Sequence, residues 1–501
     1  MLGHSEKPRR LSAPNSSALS SLRNKLSYAA ARSSALIWEW TPFCLVASYF
    51  VFSTCIYMVC SEKMIEVLWY VYMLTNTYVS MVTVVEAVLS ISVTRESRRR
   101  VTKVAAMDFK PGMQPWPTPD DQLPILDLII VAYLPNERDI IMDRVNYLCT
   151  KIVYPVDRIR INCVYNTPVD IEPLETELVD LQQQYSQLRV IKVPGSKSKA
   201  DNLNYFFTLD TGADVIAIFD ADHYPHPHNP RWAAEGFMAD AEVGIVQGRC
   251  VIYNSRDSWL TRLIAIEFDK IYAVSHPGRA IMMDFGLFCG SNGYWRADLL
   301  KAHKMHGEML TEDIDSALRA VQKNVKAVHE INAVSYELAP SEFQGFWKQR
   351  LRWAQGWAQA SIVHMPMVWN KPEQGTRSFT KRFGVFSLLA VREVSYYLIT
   401  QYTCLVLSFI ILNFPKTPIA LAHMIFFPYP LSVWFFIISI ACLFGTLVIT
   451  WRVRSEFISV WMMVCFSLFY PFYLVIMGMI GLYGHARQVV AYNNWNPTAR
   501  K

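Results

Sequence analysis

Two long apolar segments lie near the start of the chain, ahead of a stretch of mixed polarity. Thr41 to Cys60 and roughly Val67 to Ser92 are each close to the ~20 residues that a helix needs to cross the hydrocarbon of a bilayer. The pattern therefore predicts a transmembrane hairpin within residues 36–95.

Apolar segments of the same kind return near the end of the chain. We expect further membrane spans near 393–413, 431–451 and 457–483. Pro471 interrupts the last of these, so this segment forms either one span or two short pieces. The chain then crosses the membrane five or six times in total, and both counts stay open.

Between the two apolar regions, short apolar runs alternate with polar, helix-like segments. This alternation is typical of an α/β sheet with crossover helices, in which ligands bind at the carboxyl ends of the strands. The predicted strands are 125–135, 158–165, 188–193, 214–220 and 243–253, with a helix at 174–185.

The segment FQGFWKQRLRWAQGWAQ leads from this middle region back to the apolar bundle. On a helix, Phe346, Trp353 and Trp357 fall on one narrow stripe, with Gln349 and Arg352 on the adjoining polar flank. The pattern predicts an interfacial amphipathic helix.

Composition and charge agree with a membrane protein. The 501 residues are 52% hydrophobic and 18% charged, with a net charge of +6. Basic residues precede the first span and follow the second in the run RESRRR, which indicates that both flanks are cytosolic. Nucleic acid binding is not expected, because no basic face or aromatic platform accompanies this run. The ten cysteines form no C-x-x-C pair, which argues against a zinc site or a disulfide framework.

These patterns divide the chain into seven parts. They are a disordered Ser-rich basic tail at 1–35, the hairpin at 36–95, a basic linker at 96–122, a cytosolic globular domain at 123–340, interfacial helices at 341–382, the C-terminal bundle at 383–484 and a tail at 485–501.

Two carboxylates leave the end of the predicted strand 214–220 in the sequence FDADHYPH. Asp220 and Asp222, spaced D-x-D, suit a hard divalent cation, Mg²⁺ or Mn²⁺, that is shared with a phosphate ligand. The structural alternative is a cap or turn. The histidines at 223, 226 and 228 offer zinc ligands on paper, but the intervening prolines break any helical or finger spacing.

Two further motifs follow. In TED, Thr311 is a helix cap and Glu312 and Asp313 are acids of the first helical turn, or else one acid is a general base that faces an acceptor hydroxyl. In QRLRW, Trp353 is a stacking platform for a sugar and Arg352 a donor to phosphate, or else the helix simply lies on lipid.

In this order, between a membrane hairpin and a helical bundle, the D-x-D, T-E-D and Q-x-x-R-W motifs resemble those of the membrane-integrated glycosyltransferases of family two, in particular hyaluronan and bacterial cellulose synthases. The resemblance covers roughly 36–501. It implies a glycosyltransferase-A type domain between transmembrane helices that binds a nucleotide sugar, with a UDP-sugar as the expected donor. The activity it implies is an inverting β-transfer that extends a polysaccharide processively, for a cell wall or capsule, and exports it across the cell membrane.

The resemblance also implies donor-binding residues. Asp220 would touch the nucleotide diphosphate and Asp222 the metal, Mg²⁺ or Mn²⁺, with Asp220 beside it. SKSKADNLN resembles the K-A-G-N-L-N segment of the family, which places Lys199, Asn202 and Asn204 near the donor.

For the acceptor, the resemblance makes Asp313 the base and Glu312 a substrate contact. FCGSNGYWR looks like the loop that holds the acceptor terminus, and the amphipathic helix would hold the acceptor end and the pyrophosphate. The residues so implied are Cys289, Gly290, Ser291, Gln349, Arg352 and Trp353. The closing WNPTARK is similar to the W-G-T-R tail of hyaluronan synthases, which favours a cytosolic C-terminus.

The chain also departs from the family pattern. Its nucleotide-binding strand ends in VYNTP, with Tyr165 and Asn166 where an Asp-Asp or Asp-Gly pair is usual, and Leu134 is inserted in YLPNERD. The gating loop F-x-V-T-x-K of cellulose synthases has no counterpart, so the closer likeness is to the hyaluronan type.

Three rival functions stay open: a family-two enzyme that adds one sugar to a lipid, a transporter or channel, and a catalytically inactive interaction protein. Arg392 and Glu393, at the entrance of the third span, either line a polar export path or form an ordinary ion pair. The sequence does not indicate an oligomeric state.

Overall fold

The structure is a computed structural model that describes residues 40–108, 116–371 and 375–491. The expectations for the tail at 1–35 and for the closing WNPTARK lie outside the described residues.

Eight strands form one mixed sheet in the order β3-β2-β1-β4-β7-β6-β8-β5. β1 to β4 run parallel, β7 is antiparallel to both of its neighbours, and β6 and β8 are again parallel. The strands are β1 Leu126–Tyr133, β2 Ile159–Asn166, β3 Leu188–Lys192, β4 Val215–Asp220, β5 Tyr224–Pro225, β6 Val243–Ile252, β7 Gly293–Arg296 and β8 Lys326–Glu337.

The five predicted strands are confirmed as β1, β2, β3, β4 and β6. Their apolar runs are continuous because helices cover both faces of the sheet. In β1, Leu128 and Ile130 enter the hydrophobic core on one face, whereas Ile129 and Val131 enter the core on the other. The short β5 and β7 and the polar β8 were not predicted.

The helices that surround and follow the sheet are α1 Trp40–Val59, α2 Glu62–Asp108, α3 Leu134–Glu137, α4 Ile141–Lys151, α5 Leu174–Gln184, α6 Lys199–Phe206, α7 Asn229–Ala239, α8 Trp259–Lys270, α9 His276–Met283, α10 Ala297–His303, α11 Glu312–Gln322, α12 Phe343–His364, α13 Phe379–Phe386, α14 Arg392–Leu412, α15 Pro418–Ile425, α16 Leu431–Val453 and α17 Val460–Val489. The predicted helix at 174–185 is α5.

Five helical segments in the described part of the chain are long and apolar enough to cross a membrane: Trp40–Val59, Glu62–Ala105, Phe379–Leu412, Leu431–Val453 and Val460–Val489. α17 continues without a break through Pro471, so this segment is one long helix and not two short pieces. α2 continues past its apolar part through the basic run and so connects the apolar helices directly to the globular domain.

α12 lies between the globular domain and α17 and is buried on several faces. Gly484 of α17 makes this contact close, because a Cβ at this position would lie 2.9 Å from the Cβ of Ala354. The stripe predicted for this helix is packed against protein: Phe346 is fully buried, and Trp353 and Trp357 are partly buried in two core clusters.

A candidate active site at the carboxyl ends of the strands

A cavity of about 620 Å³, here called the strand-end cavity, opens where β1, β2 and β4 end. Tyr133, Asn166 and Asp220 are the last residues of these three strands, and all three line it. The opposite wall comes from the first turn of α11 and from α12. The position is the one expected for a ligand site in an α/β sheet.

A lysine joins the two acidic motifs inside this cavity. Lys199 Nζ lies 2.5 Å from Asp220 Oδ1 and 3.8 Å from Glu312 Oε1, and it donates a 2.8 Å hydrogen bond to the carbonyl oxygen of Gly290. Burial acts to lower the pKa of Lys199, but the carboxylates of Asp220 and Glu312 outweigh this effect and raise it. The lysine therefore holds a positive charge at the end of β4.

Asp220, Asp222 and His223 form a group whose ligand atoms all lie within 4.8 Å of one another. Asp222 and His223 are buried, and burial lowers the pKa of His223 to about 4, so that its imidazole is neutral and able to donate a lone pair. Two carboxylates and one imidazole are a donor set that fits Mn²⁺ or Mg²⁺. Of the three predicted histidines, only His223 takes part in this group.

A third carboxyl group, that of Glu337, lies on the other side of His223. His223 Nε2 lies 3.5 Å from Glu337 Oε2, and its Nδ1 lies 2.9 Å from Ser335 Oγ. Burial and the nearby charge of Asp220 raise the pKa of Glu337 to about 8. Sequence reasoning missed Glu337, because it ends β8, a strand whose polar sequence gave no apolar signal.

Asp313 projects from the first turn of α11 into the strand-end cavity. Burial, followed by the neighbouring charge of Glu312, raises its pKa to about 6. Gly290 lies directly against it at a φ of +84°, and a Cβ on this glycine would lie 2.6 Å from Asp313 Oδ2. Thr311 occupies the N-cap position, but its side chain makes no capping hydrogen bond, contrary to the capping interpretation of the TED motif.

The loop from Cys289 to Ser291 connects this acid to the strands, and all three of its residues line the cavity. The backbone N–H of Cys289 donates to Gln247 Oε1 at 2.8 Å. The N–H of Asp220 donates to Ser291 Oγ at 3.1 Å. These bonds hold the loop against β6 and against the end of β4.

Gln349, Arg352 and Trp353 of α12 also line the strand-end cavity, so the Q-x-x-R-W motif meets the other two. Arg350 faces elsewhere: it is buried, lies 2.5 Å from Glu267 Oε2 and stacks with its Cζ 4.5 Å from the centre of the Trp353 ring. No sequence signal pointed to this ion pair, because its two partners are far apart in the chain.

Two of the predicted donor-binding residues of α6, Asn202 and Asn204, lie in different surroundings. Asn202 lines the cavity and donates to Asn166 Oδ1 at 2.8 Å. Asn204 instead bonds in both directions to the backbone of Met305, at 2.7 and 2.9 Å, and so holds the chain that leads to the TED motif. Tyr165 donates to Glu175 Oε2 at 2.9 Å.

A second cavity of about 480 Å³, the inter-helix cavity, adjoins the first and shares Cys289, Asp313 and Trp353 with it. It extends between α2, α9, α12, α14 and α17. Arg392 lines it, with its Cζ 3.8 Å from the centre of the Trp357 ring. Glu393 forms an ion pair with its neighbour Arg392, and a 2.5 Å hydrogen bond between His485 Nε2 and Glu393 connects α17 to α14.

This mixed sheet, with its lysine and carboxylates at the strand ends, has the glycosyltransferase-A type of fold. The sequence profile of glycosyl transferase family group 2 matches residues 215–483, from β4 to α17. The chain belongs to this family, which confirms the predicted resemblance at the level of the family.

Relatives with assigned names are also described as glycosyltransferases. The chain is 26% identical over 254 residues to the probable glycosyltransferase YdaM of Bacillus subtilis, which covers 50% of this chain and 59% of that protein. It is 23% identical over 320 residues to the probable glucomannan 4-beta-mannosyltransferase 1 of Arabidopsis thaliana, which covers 62% of this chain and 57% of that one. The matches thus span less than two thirds of the length of these relatives.

Solved structures give more distant matches. The mannosyltransferase PcManGT of Pyrobaculum calidifontis, in complex with GDP-Man and Mn²⁺, is 17% identical with a TM-score of 0.47, covering 74% of this chain and 100% of that one. Residues 1–349 of TarS from S. aureus are 10% identical with a TM-score of 0.37, covering 74% and 93%.

Proposed function

We propose that the protein is an inverting, metal-dependent β-glycosyltransferase that polymerises a nucleotide-activated sugar and exports the product through its own helices. The observation that carries this proposal is the meeting of all three motifs in one cavity, with Asp313 at the point where the strand-end and inter-helix cavities adjoin. Donor and acceptor can therefore approach the same carboxylate from two sides.

The donor diphosphate is assigned to the end of β4. Lys199 supplies a fixed positive charge there, and Asn202 and Ser291 are polar groups close by. Asp220, Asp222 and His223 are the residues that would hold Mg²⁺ or Mn²⁺. Such a cation, when bound, neutralises charge on the departing diphosphate.

Asp313 is the proposed general base. Its ionised carboxylate accepts the proton of an acceptor hydroxyl while that oxygen forms a bond to the anomeric carbon of the donor. The bond from the anomeric carbon to the diphosphate oxygen breaks with both electrons leaving on the nucleoside diphosphate. The acceptor oxygen attacks the face of the anomeric carbon opposite to the departing diphosphate, so an α-linked donor gives a β-glycoside. A positioned base of this kind contributes about 10²- to 10⁴-fold in rate.

The acceptor is assigned to α12 and the inter-helix cavity. Trp353 contributes to both cavities and offers an aromatic face to a sugar ring, while Gln349 and Arg352 offer hydrogen bonds in the strand-end cavity. Glu86 and Arg279, 2.8 Å apart, and Arg392 place polar groups among the apolar helices. Polar side chains are needed along such a path, since sugar hydroxyls cannot enter lipid without losing their hydrogen bonds.

The test is transfer from a panel of radiolabelled nucleotide sugars to product by the purified protein, with Mn²⁺ or Mg²⁺ and with EDTA. UDP-sugars are included on the family resemblance, and a nucleotide-activated mannose is included because several relatives are named glucomannan mannosyltransferases. We expect one donor to give a labelled product that contains many sugars, and we expect EDTA to abolish its formation. Absence of transfer from every donor would refute the proposal.

One alternative has an observation in its favour. Val82, Leu388, Met477 and Ile480 give the inter-helix cavity an apolar side, which suits a lipid acceptor. A non-processive enzyme that adds one sugar to a lipid would give a product that is extracted into organic solvent and carries a single label, whereas a polymer remains in water.

A further inference from the structure

A third cavity, of about 560 Å³, lies outside the site described above. It is formed by the end of α2 that enters the globular domain, the segment that follows α16, the edge of β8 and the aromatic residues Trp116 and Trp232. We call it the arginine cavity after four of its lining residues: Arg98, Arg249, Arg452 and Arg454.

The charge of the arginine cavity is one-sided. Its described lining residues include these four arginines and two histidines, His226 and His228, but no aspartate or glutamate. Asp269, which lies 2.6 Å from Arg249 Nη2, balances one of the arginines. The acids of neighbouring α2 and β8 are engaged with other partners, since Glu330 pairs with Arg100 at 2.6 Å and Glu96 with Arg99 at 3.9 Å. Among the described residues, no carboxylate forms an ion pair with the exposed guanidinium groups of Arg98, Arg452 or Arg454.

The protein holds several of these arginines in place by bonds to backbone carbonyl groups. Arg249 Nη2 donates to Val453 O at 2.8 Å, Arg454 Nη1 donates to Trp451 O at 2.8 Å, and Arg98 donates to Arg452 O. A guanidinium group that is fixed in this way has further N–H donors to offer to a ligand. Preorganised donors lose less conformational entropy when an anion binds.

A bulge in the sheet shapes one wall of the cavity. The register between β6 and β8 shifts from the pair Gly248–Glu330 to the pair Arg249–Val334. The three residues of β8 between these pairs have no partner residue in β6 and form the bulge. Among them, Asn332 accepts a 2.6 Å hydrogen bond from Ser97 of α2. The bulge thus fastens the sheet to the end of the membrane helix and leaves room between them.

The opposite wall is aromatic. The rings of Trp116 and Trp232 meet edge to face at 4.7 Å, and His228 lies 5.7 Å from Trp116. Tryptophan rings are enriched at membrane interfaces, because the ring is apolar and its N–H group is polar. The cavity therefore combines fixed cations with an amphipathic wall.

We infer that the arginine cavity binds a phosphate group, presented by the headgroup of an anionic phospholipid. Guanidinium groups match the oxygens of a phosphate in pairs. α2 and α16 both contain segments apolar enough to cross a membrane, and both end at this cavity, so a headgroup in the adjoining leaflet lies within its reach. A soluble phosphorylated metabolite carries the same group without the acyl chains.

The test uses the purified full chain in detergent, titrated with dioleoylphosphatidic acid and, separately, with glycerol 3-phosphate, which is the same headgroup without its tails. Native mass spectrometry counts the bound molecules. We expect one saturable phosphatidic acid molecule per chain and little binding of glycerol 3-phosphate. Equal binding of both probes would identify a soluble ligand for the same phosphate site.

Variants separate this site from general attraction to positive charge. Arg452→Gln removes an exposed cation of the cavity, and we expect affinity for phosphatidic acid to fall about fivefold, with a further loss of similar size in Arg98→Gln/Arg452→Gln. The matched control is Arg99→Gln, one residue along α2, whose side chain is 67% exposed and lies outside the cavity. Sugar transfer in lipid-free detergent, unchanged in Arg452→Gln, checks folding.

Two results would overturn the inference. One is binding of neither probe at a saturable site. The other is equal weakening by Arg99→Gln and Arg452→Gln, which would show that phosphatidic acid responds only to the overall charge of this surface.

Discussion

At the scale of a single residue, Asp313 combines a raised pKa with a carboxylate that is still ionised at neutral pH. Burial and the charge of Glu312 raise its pKa to about 6, which makes it a better proton acceptor than an ordinary aspartate. The same environment would protonate it at neutral pH if the pKa rose further, and the positive charge of Lys199 opposes such a rise. The result is a carboxylate that is ionised at pH 7 and still basic.

The pH dependence of turnover follows from this pKa. A general base works only when it is deprotonated, so activity is present above pH 6 and is lost as the pH falls through about 6. We expect kcat/KM to show an acidic limb near this value. Glu312→Gln removes the second cause of the raised pKa and shifts the limb to lower pH. An acidic limb near pH 4 in the wild type would contradict the assignment of Asp313.

Gly290→Ala tests the contact between the Cys289–Ser291 loop and Asp313. The added methyl group would lie 2.6 Å from Asp313 Oδ2, so the carboxylate must move, and the φ of +84° adds backbone strain. We expect turnover to fall by a factor of ten or more, measured as initial rates at saturating donor, about tenfold per 1.4 kcal/mol.

The matched control for this variant is Gly212→Ala. Gly212 also has a positive φ, +63°, but no atom lies within 4 Å of its Cβ position. This variant carries the strain without the clash, so it should keep its turnover and lose about 1 kcal/mol of stability. Equal losses of turnover in the two variants would rule out the proposed contact.

The residues of the site were predictable to different degrees. D-x-D, TED and QRLRW are local motifs, and each of them contributes side chains to the strand-end cavity. Glu337 and Arg350 carried no local signal, because Glu337 matters only through its closeness to His223 and Arg350 through its pairing with Glu267. Sequence spacing does not report contacts between distant parts of the chain.

At the scale of elements, the packing of α12 sets the position of the Q-x-x-R-W motif. The helix is held on one side by α17 and on the other by the turn before α11, where a Cβ on Gly356 would lie 2.5 Å from Thr311 Oγ1. Because side chains at such a contact are close-packed, a displacement at Gly356 moves the neighbouring residues of α12 as well. Arg352 and Trp353, one turn away on the same helix, therefore depend on the fit of Gly356.

Gly356→Ala should move α12 away from α11. Overpacking costs about 1–3 kcal/mol, and a displacement near 1 Å at a site of this kind lowers turnover about 10²-fold. Initial rates and thermal unfolding of the purified protein measure the two effects. Gly345→Ala is the control. Gly345 lies in the first turn of the same helix, and within 4 Å its Cβ would meet only Pro340, at 3.3 Å. Full activity of the Gly356 variant would show that the position of α12 is not critical.

Elements with strong apolar periodicity were predicted closely, and polar or very short ones were missed. β1 and β4 differ from the predicted segments by a few residues, whereas β7 has only four residues and β8 is largely polar. At Pro471, where one span and two short pieces both stayed open, the structure has one continuous helix. Residues of α17 on both sides of Pro471, including Phe466 and Tyr473, pack in the core and keep the helix continuous at the cost of one backbone hydrogen bond.

At the scale of the whole molecule, a buried ion pair connects the globular domain to the apolar helices. Arg350 of α12 lies 2.5 Å from Glu267 of α8, and Tyr473 of α17 donates to the same carboxylate at 2.8 Å. Three elements from different parts of the chain thus share one acid, and this contact lies behind Trp353.

Arg350→Met should leave Glu267 buried without its cation, which costs about 3–5 kcal/mol. We expect the midpoint of thermal unfolding to fall clearly in this variant. Arg350→Met/Glu267→Gln removes both charges and should recover much of the loss. If the double variant were no more stable than the single one, the ion pair would not be the connection between the two parts.

The most direct measurement of the central claim compares donor binding and sugar transfer in the wild type, Asp313→Asn and Asp298→Asn. Asp298 is an exposed aspartate in the first turn of α10 and serves as the control. We predict that Asp313→Asn binds the nucleotide sugar nearly as tightly as the wild type, but transfers it about 10²- to 10⁴-fold more slowly. Transfer by Asp313→Asn at the rate of the wild type would contradict the assignment of this carboxylate as the catalytic base.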